Sequence, residues 1–260
     1  MPNTKIVTFN IRNPWSGDGM NAFMHRLGLV YDKITEEMPD VIAFQEMMPK
    51  QKTVLERLLP EYAFCGQPRN ADYTGEGLYI ALKKDVWDTV AYETFWLSPT
   101  PHVAGSRFSV QSEYPRICNA VQIRNRGNGK MLRVFNVHLD HACPEARVEG
   151  IKCVLEKVRE TNARLVLPTV ILGDFNSEPN SKTIAVLGEH ACPEFFDVTS
   201  GILRTNHDFG RNLATSPVKI DYIYATRELA NACECARVWD ECHAGIYLSD
   251  HYPVYAEFEF

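Results

Sequence analysis

Apolar and polar residues alternate at the start of the chain, and this pattern predicts the first strand. In KIVTFNI, residues 5–11, the even-numbered side chains fall on one face and the odd-numbered ones on the other. Residues 21–38 instead carry apolar side chains at helical spacing, and Pro39 ends that helix. The apolar run DVIAFQEM, residues 40–47, then predicts a buried strand. A strand–helix–strand unit of this kind favours a parallel pair.

The middle of the chain is predicted to be rich in strands. After a short helix over residues 50–59, apolar runs follow one another without a long helix between them. These runs are YAFCG (62–66), GLYIALKK (77–84), AYETFWLS (91–98), RICNAVQIR (116–124) and KMLRVFNVHLD (130–140). NRGNGK, residues 125–130, is typical of a hairpin turn. Consecutive strands of this kind are expected to pair antiparallel.

The last part of the chain again combines helices with strands. Helices are predicted over residues 145–160 and near 181–188, on either side of the strand PTVILGDF at 168–175. The late strands are KIDYIYAT (219–226), ECARVWDE (234–241) and YPVYAEFEF (252–260). Two halves of strands, helix and strands predict an α/β fold, a four-layer α/β/β/α sandwich with two mixed sheets face to face and helices outside. With no repeat or linker evident, residues 1–260 are expected to form a single domain.

Composition and charge limit the kinds of partner that the protein is expected to bind. The chain is 45% hydrophobic and 23% charged, which is typical of a soluble globular protein. No run of about 18 apolar residues predicts a membrane span, and the first residues lack a signal-peptide pattern, so we expect a cytoplasmic protein with no membrane partner. The net charge of −6, with scattered Lys and Arg, disfavours extended duplex nucleic acid. A phosphorylated small molecule or a short nucleic-acid end remains compatible.

The eight cysteines are expected to be free thiols. Their even number permits disulfides, but a chain of this length does not need them for stability. Cys233, Cys235, Cys242 and His243 could be combined into a zinc site. Because C-x-C followed by C-H is not a usual structural-zinc spacing, free thiols are the favoured interpretation.

Polar residues that can hold a metal or a phosphate recur where apolar strands end. They are Asn10, Glu46, His138, Asp140, Asp174, Asn176, Asp221, Asp250 and His251. A single Asp or Asn at such a place is more often a cap or a turn residue. Glu46 and Asn10 fit that explanation less well, since burying an unpaired carboxylate or amide is costly. As a set, these carboxylates, amides and imidazoles indicate a magnesium-assisted phosphate site.

The same residues carry a family resemblance. The motifs are TFN around Asn10, AFQE around Glu46, NVHLD around His138, GDFNSEP around Asp174, IDYIY around Asp221 and SDHYPV with Asp250 and His251. Their order and nearly full-length coverage resemble the endonuclease/exonuclease/phosphatase superfamily, in its bacterial form. The resemblance implies the four-layer sandwich and a Mg²⁺-dependent attack of water on a phosphate ester, with Mn²⁺ as a substitute ion.

The resemblance also implies roles for individual residues. Glu46 would be the principal magnesium ligand, with Asn10 and Asp250 near the ion. Asp174 would orient or deprotonate the attacking water, and Asn176 would hold a phosphate oxygen. If the backbone stays extended through residue 175, the side chains at 174 and 176 share one face.

Two histidines complete the implied site. His251, paired with Asp221, and His138 would contact the phosphate and stabilise charge in the transition state. An aspartate beside His251 favours the imidazolium form, which suits a highly charged phosphorus centre. The sequence leaves open whether His251 acts as acid, base or electrostatic clamp, and whether one or two metal ions take part.

The segment from Glu93 to Val121 resembles a WLS-containing loop followed by Pro-Arg in bacterial members of the superfamily. Arg116 would then contact the substrate phosphate. The alternative is that Phe95 and Trp96 are core residues and Arg116 is a surface ion-pair partner. Five other histidines, which lack motif support, are interpreted as ordinary surface or core residues: His25, His102, His141, His207 and His243.

Three functions follow from these observations. The first is a Mg²⁺-dependent phosphoesterase acting on a small soluble phosphorylated substrate. The second is a 3′ exonuclease or deadenylase-like nuclease, because aromatic residues in probable loops, Trp15, Tyr73 and Phe108, can stack single-stranded bases, although no basic track accompanies them. The third is a non-catalytic binding module on the same fold. It is disfavoured because Glu46, Asp174 and His251 are all present. The sequence does not predict an oligomeric state.

Overall fold

The computed structural model describes residues 3–189 and 193–260, and its strands form two six-stranded sheets and a two-stranded hairpin. In chain order the strands are β1 (Asn3–Asn10), β2 (Val41–Met47), β3 (Tyr62–Pro68), β4 (Gly77–Lys83), β5 (Trp87–Trp96), β6 (Ile117–Asn125), β7 (Met131–His138), β8 (Thr169–Asp174), β9 (Phe195–Asp197), β10 (Asp221–Thr226), β11 (Cys233–Val238), β12 (Cys242–His243), β13 (Ile246–Tyr247) and β14 (Val254–Glu259). The α-helices are α1 (Phe23–Glu37), α2 (Pro49–Leu58), α3 (Pro144–Asn162), α4 (Lys182–Glu189) and α5 (Arg227–Asn231). Short 3-10 helices span Ser16–Asn21 and Asp208–Gly210.

Both large sheets are mixed, as predicted. Sheet 1 has the order β11-β14-β1-β2-β4-β3, and sheet 2 has the order β5-β6-β7-β8-β10-β9. Strands β1 and β2 pair parallel on either side of α1, which confirms the first strand–helix–strand unit. A second parallel pair, β7 with β8, is connected through α3. The other pairings within the two sheets are antiparallel.

One expectation about the middle strands is wrong. Strands β3 and β4 pair antiparallel, and so do β5, β6 and β7, but β4 does not pair with β5. Leu82 at the end of β4 and Trp87 at the start of β5 both lie in the core between the sheets. The turn between them therefore carries the chain from one sheet to the other, because both apolar side chains gain burial that way.

Three apolar layers hold the sandwich together. The layer between the sheets includes Ile6 and Val134, which are completely buried. The outer face of sheet 1 packs on α1 and α2, with Val7 of β1 in that layer. The outer face of sheet 2 packs on α3 and α4. Ile6 and Val7 thus confirm the predicted alternation along β1, and the layers make the α/β/β/α sandwich.

A polar bridge crosses the interior between the sheets. Gln45 of β2 donates from Nε2 to Oδ1 of Asn136 in β7 at 2.8 Å, and both side chains are completely buried. Asn136 Nδ2 in turn donates to the backbone carbonyls of Phe44 at 3.0 Å and Tyr79 at 3.3 Å. Paired buried polar groups fix relative position, since misalignment would leave them unsatisfied. The bridge therefore sets how β2 of sheet 1 lies over β7 of sheet 2.

Arg26 of α1 ties three loop segments together. Its side chain is completely buried, and its guanidinium donates to the backbone carbonyls of Asn21 at 2.6 Å, Ile11 at 3.0 Å and Leu248. Ile11 directly follows β1, and Leu248 lies shortly before β14.

Within the described residues, no helix is long and apolar enough to cross a membrane.

Candidate active site

The polar strand ends meet at one end of the sandwich, where the two sheets adjoin. His138 ends β7, Asp174 ends β8 and Asp221 begins β10, and the pairing of these strands places His138 opposite Asp174 and Asp174 opposite Asp221. Sheet 1 contributes Asn10 from the end of β1 and Glu46 from β2. The strand registers therefore bring these side chains together, as the sequence predicted.

Glu46 owes its orientation to an irregularity in β2. The pairing of β2 with β4 shifts register between Phe44 and Met47, and Glu46 has a φ of 58°. A left-handed φ is uncommon for a residue with a side chain, and bulges of this kind re-aim side chains beside active sites. The Glu46 carboxylate consequently accepts the backbone N–H of Asn13 at 3.2 Å instead of entering the core.

Asn10 links the two sheets at the site. Its Nδ2 donates to Glu46 Oε1 at 3.1 Å and to Asp174 Oδ2 at 3.0 Å. Its Oδ1 accepts the backbone N–H of Arg12 at 3.0 Å. The amide therefore holds a carboxylate from sheet 1 and one from sheet 2 at a common point.

Asp174 and Asn176 reach the same cleft through a turn. The strand ends at Asp174, and Asn176 adopts a left-handed φ of 48°, so an extended backbone is not what brings the two together. The Asn176 backbone N–H donates to Asp174 Oδ1 at 2.8 Å, which is an Asx turn. Asn176 Nδ2 donates to the carbonyl of Leu139 at 3.1 Å. Phe175, as expected, points into the core.

His251 is held between an aspartate and an amide. Its Nδ1 lies 2.8 Å from Asp221 Oδ2, and its Nε2 lies 2.9 Å from Asn206 Nδ2. Burial lowers the pKa of His251, but the charge and hydrogen bond of Asp221 outweigh that effect and raise the pKa well above its usual value. The charge of Asp221 thus favours the predicted imidazolium, whereas Asn206 Nδ2, itself a donor, forms a hydrogen bond with Nε2 only when that nitrogen carries no proton.

His138 has the opposite electrostatic environment. Its Nε2 lies 3.5 Å from Asp174 Oδ2. Burial and then the charge of Arg116 lower the pKa of His138 well below its usual value. A neutral imidazole here can either bind a cation or share a hydrogen bond.

The site concentrates negative charge in a buried place. Burial first, and then the charge of Asp221, raise the pKa of Asp174 to about 7. Burial and the charge of Glu46 also raise the pKa of Asp250, although His251 and Arg12 oppose that shift. A bound divalent cation stabilises the charged form of carboxylates that are crowded together away from water in this way.

Among the described residues, two groups have atoms close enough together to hold such a cation, although His251 can be a ligand only when it is unprotonated. Glu46, His138 and Asp174 form one group and Asp174, Asp221 and His251 the other, each with potential ligand atoms within 4.8 Å of one another. Carboxylate oxygens suit Mg²⁺ or Mn²⁺, so the residues fit the ion implied by the sequence. Asp250 belongs to neither group, and its Oδ2 lies 3.5 Å from Arg12 Nη1.

The cleft above this cluster has a volume of about 480 Å³. Its lining includes seven of the nine residues predicted to bind metal or substrate or to act in catalysis, namely Glu46, Arg116, His138, Asp174, Asn176, Asp250 and His251. Asn10 and Asp221 lie directly beneath, in contact with Asp174 and His251. All nine residues are therefore brought together.

Several lining residues were missed by the sequence analysis. They are Arg12, Asn13, Arg69, Glu76, Tyr114, His141 and Asn206. His141, interpreted as an ordinary histidine, lies in the cleft with its Nδ1 3.0 Å from Arg116 Nη2, within hydrogen-bond distance. None of them belongs to a strand-end motif, and the only sequence signal was their position in polar loops between strands.

The two interpretations of the segment around Arg116 each hold in part. Phe95 and Trp96 are buried core residues, as the alternative had it. Arg116 is not on the surface, however, since only 4% of it is exposed, and it lines the cleft.

The cysteine-rich C-terminal segment gives no metal site among residues 3–189 and 193–260. Cys233 and Cys235 lie on β11, and Cys242 and His243 on the β12–β13 hairpin, outside both groups able to hold a metal. These cysteines are free thiols, as expected. Cys192 lies outside the described residues.

Comparison with known proteins agrees with this geometry. The sequence profile of the Endonuclease/Exonuclease/phosphatase family matches residues 7–251. The structure resembles an endonuclease/exonuclease/phosphatase from Bacteroides vulgatus at 27% identity and a TM-score of 0.93, with 100% of both chains covered. No curated protein matches the chain in sequence.

Two further structures share the fold. The mannosyl-6-phosphatase of Bacteroides thetaiotaomicron VPI-5482 is 23% identical with a TM-score of 0.88, covering 99% of this chain and 100% of that one. TDP2 from D. rerio, solved with a single-strand DNA product, is 20% identical with a TM-score of 0.75 and 100% of both chains covered. Enzymes of the matched family hydrolyse phosphoester bonds, generally with a divalent metal. The chain belongs to the endonuclease/exonuclease/phosphatase family and is a hydrolase of phosphoester bonds.

Proposed function

We propose that the protein is a Mg²⁺-dependent phosphoesterase that hydrolyses an ester of a small soluble phosphorylated molecule. One observation carries the proposal. Asn10 holds Glu46 and Asp174 together across the two sheets, next to the His251–Asp221 pair. This arrangement combines a carboxylate cluster for a cation with a positive group for the phosphate.

The metal would be held by Glu46, with Asn10 and Asp250 nearby. A divalent ion bound there supplies a Lewis acid that polarises a phosphoryl oxygen. Asp174, with a pKa raised to about 7 by burial and by Asp221, suits a group that accepts a proton from water near neutral pH. The oxygen of that water forms the new bond to phosphorus while the ester P–O bond breaks, and the leaving alkoxide takes a proton from solvent to become the alcohol.

The remaining residues are proposed to bind the phosphate. His251 presents a positive imidazolium, which Asp221 holds in one orientation. His138 would contact a phosphate oxygen as a neutral imidazole. Asn176 has one amide hydrogen bonded to Leu139 and would offer the other to the phosphate. Arg116 would add a guanidinium contact.

The substrate class is supported by charge and size. The net charge of −6 is unfavourable for long nucleic acid, and a cleft of about 480 Å³ accommodates a molecule the size of a sugar phosphate. The shared fold of the mannosyl-6-phosphatase agrees with a small phosphorylated substrate.

The direct test is a substrate panel with and without Mg²⁺ or Mn²⁺. We expect phosphate release from sugar phosphates or p-nitrophenyl phosphate, abolished by EDTA. Asp174→Asn should lower kcat/KM by roughly 100-fold or more. Asp32→Asn, which changes an exposed aspartate of α1, is the matched control and should keep full activity. Failure of the purified protein to hydrolyse any phosphate ester would contradict the proposal.

A 3′ exonuclease or deadenylase-like activity is the second candidate. Trp15 is 57% exposed, with the Arg12 guanidinium 5.7 Å from its ring centre, and Arg12 lines the cleft. An exposed ring beside an arginine can stack a base. Digestion of a labelled poly(A) strand faster than any sugar phosphate would favour this candidate. A non-catalytic binding module would instead keep its biological activity in Asp174→Asn.

A further inference from the structure

Two arginines form a positive wall on one side of the cleft. Arg69 follows β3 of sheet 1 and Arg116 precedes β6 of sheet 2, and both are almost fully buried, at 8% and 4% exposure. Together with Glu46, Glu76 and His138 they line a recess at the base of the cleft. The wall therefore lies beside the residues proposed to hold the metal and the phosphate.

The hydrogen-bonding capacity of these guanidinium groups is only partly used. Among the described residues, Arg69 Nε, Arg116 Nε and Arg116 Nη1 are buried and have no hydrogen-bond partner. Arg69 Nη1 pairs with Glu76 Oε2 at 2.7 Å. A buried donor left unpaired is destabilising, and more so when it is charged. These N–H groups are therefore placed to receive an acceptor from a ligand.

The nearest carboxylate does not supply that acceptor. Asp140 Oδ2 lies 3.8 Å from Arg116 Nε, which is too far for a hydrogen bond. The Asp140 oxygens already accept the backbone N–H groups of Ala142 at 3.0 Å and Cys143 at 2.7 Å, and the hydroxyl of Ser112. Arg116 is thus held near a negative charge while its Nε and Nη1 donors stay unpaired.

The two arginines also repel each other. Burial, followed by the charge of Arg69, lowers the pKa of Arg116 to about 10. Tyr114 covers the other side of Arg69, with its ring centre 4.7 Å from the guanidinium carbon. A bound anion would relieve the repulsion and satisfy the free N–H groups together.

We propose that Arg69 and Arg116 bind a terminal, unesterified phosphate oxygen and so restrict the enzyme to phosphate monoesters. The inference rests on the proposed phosphoesterase function and adds the class of ester. A monoester has three unesterified oxygens, so one can face the arginines while the others face the metal residues and His251. A diester would place an alkoxy group there, and the buried N–H groups would stay unpaired. Sites that hydrogen-bond a substrate group discriminate strongly against analogues that lack it.

The test compares the best monoester of the substrate panel with its own methyl diester, which has the same leaving group. We expect the wild-type kcat/KM to favour the monoester by at least about 100-fold. Arg69→Met should reduce that preference by about tenfold or more, mainly through a loss of monoester hydrolysis, and Arg69→Lys should keep part of it. Arg124→Met is the matched control, since Arg124 is exposed at the far end of β6 and pairs with Asp88.

The outcomes separate this inference from the function on which it rests. Absence of hydrolysis of every ester would overturn the phosphoesterase proposal itself. An active enzyme that accepts the diester equally well, or an Arg69→Met variant with an unchanged preference, would overturn only the monoester assignment. Calorimetry on the wild-type protein with Mg²⁺ gives a second readout that needs no variant. Methyl phosphate should bind and dimethyl phosphate should not, and equal binding or no binding of either would refute the arginine site.

Discussion

Replacing Asp174 by asparagine is expected to stabilise the metal-free protein while it inactivates the enzyme. Asp174 is 2% exposed, and burial together with the charge of Asp221 raises its pKa from 3.8 to about 7. A carboxyl whose pKa is raised in the folded state contributes stability that is fully present below about pH 4. That contribution is lost as the pH rises through about 7. The asparagine carries no charge and avoids this loss.

The magnitude follows from the pKa. A shift from 3.8 to about 7 is about 3 units, and at 1.36 kcal/mol per unit it corresponds to about 4 kcal/mol at pH 8. The two carboxylate oxygens of Asp174 accept hydrogen bonds from Asn10 and Asn176. In the asparagine variant an NH2 group replaces one of these oxygens, and losing that hydrogen bond lowers the stability by about 1 kcal/mol. A net gain of about 3 kcal/mol remains, or roughly 6–12 °C in Tm for a chain of this size.

Thermal unfolding in EDTA from pH 4.5 to 8.5 measures this effect. The Tm difference between Asp174→Asn and the wild type should be small at pH 4.5 and should grow until about pH 7. The Asp32→Asn control should follow the wild type at every pH. A pH-independent difference, or a variant less stable than the wild type at pH 8, would refute the electrostatic reasoning. Added Mg²⁺ should then raise the Tm of the wild type more than that of Asp174→Asn, because the variant has lost a carboxylate of the cluster.

Three more predictions concern other residues of the site and its support. Glu46→Gln should lower metal-dependent kcat/KM by roughly 100- to 1000-fold and abolish the Mg²⁺-induced rise in Tm, as measured by calorimetry. Asp221→Asn should lower the pKa of His251 and reduce kcat/KM by about 100-fold or more, which a pH–rate profile will show as a weaker activity at high pH. Arg26→Met should lower the free energy of unfolding in urea by at least about 3 kcal/mol, because three backbone carbonyls, two of them in buried hydrogen bonds, lose their donor.

Sequence periodicity was sufficient to predict the strands and helices whose apolar residues follow a regular local pattern. The alternation along β1 and the apolar stripe of α3 correspond to what the structure buries. The unusual position of Glu46 in an apolar strand also pointed to the site. These signals were readable because each depends on neighbours close in the chain.

Tertiary packing determines the features that the sequence pattern did not predict. The left-handed backbone of Glu46 depends on a register shift of β2 against β4. The crossing of the chain from sheet 1 to sheet 2 between β4 and β5 depends on where the Trp87 side chain can be buried. Arg69 and Arg116 lie 47 residues apart, next to strands of different sheets, so their proximity has no local signature. Side chains that meet only after two sheets have packed leave no pattern in a single sequence.

The chain order of the two sheets has a consequence for synthesis on the ribosome. All six strands of sheet 2 come from one continuous stretch, Trp87 to Thr226, whereas sheet 1 receives β14 between β1 and β11 only afterwards. Sheet 2 can therefore assemble during translation while β1 still has an open edge. Asp250 and His251 lie shortly before β14, so the nascent protein gains its hydrolytic centre in the same event that pairs the open edge of β1.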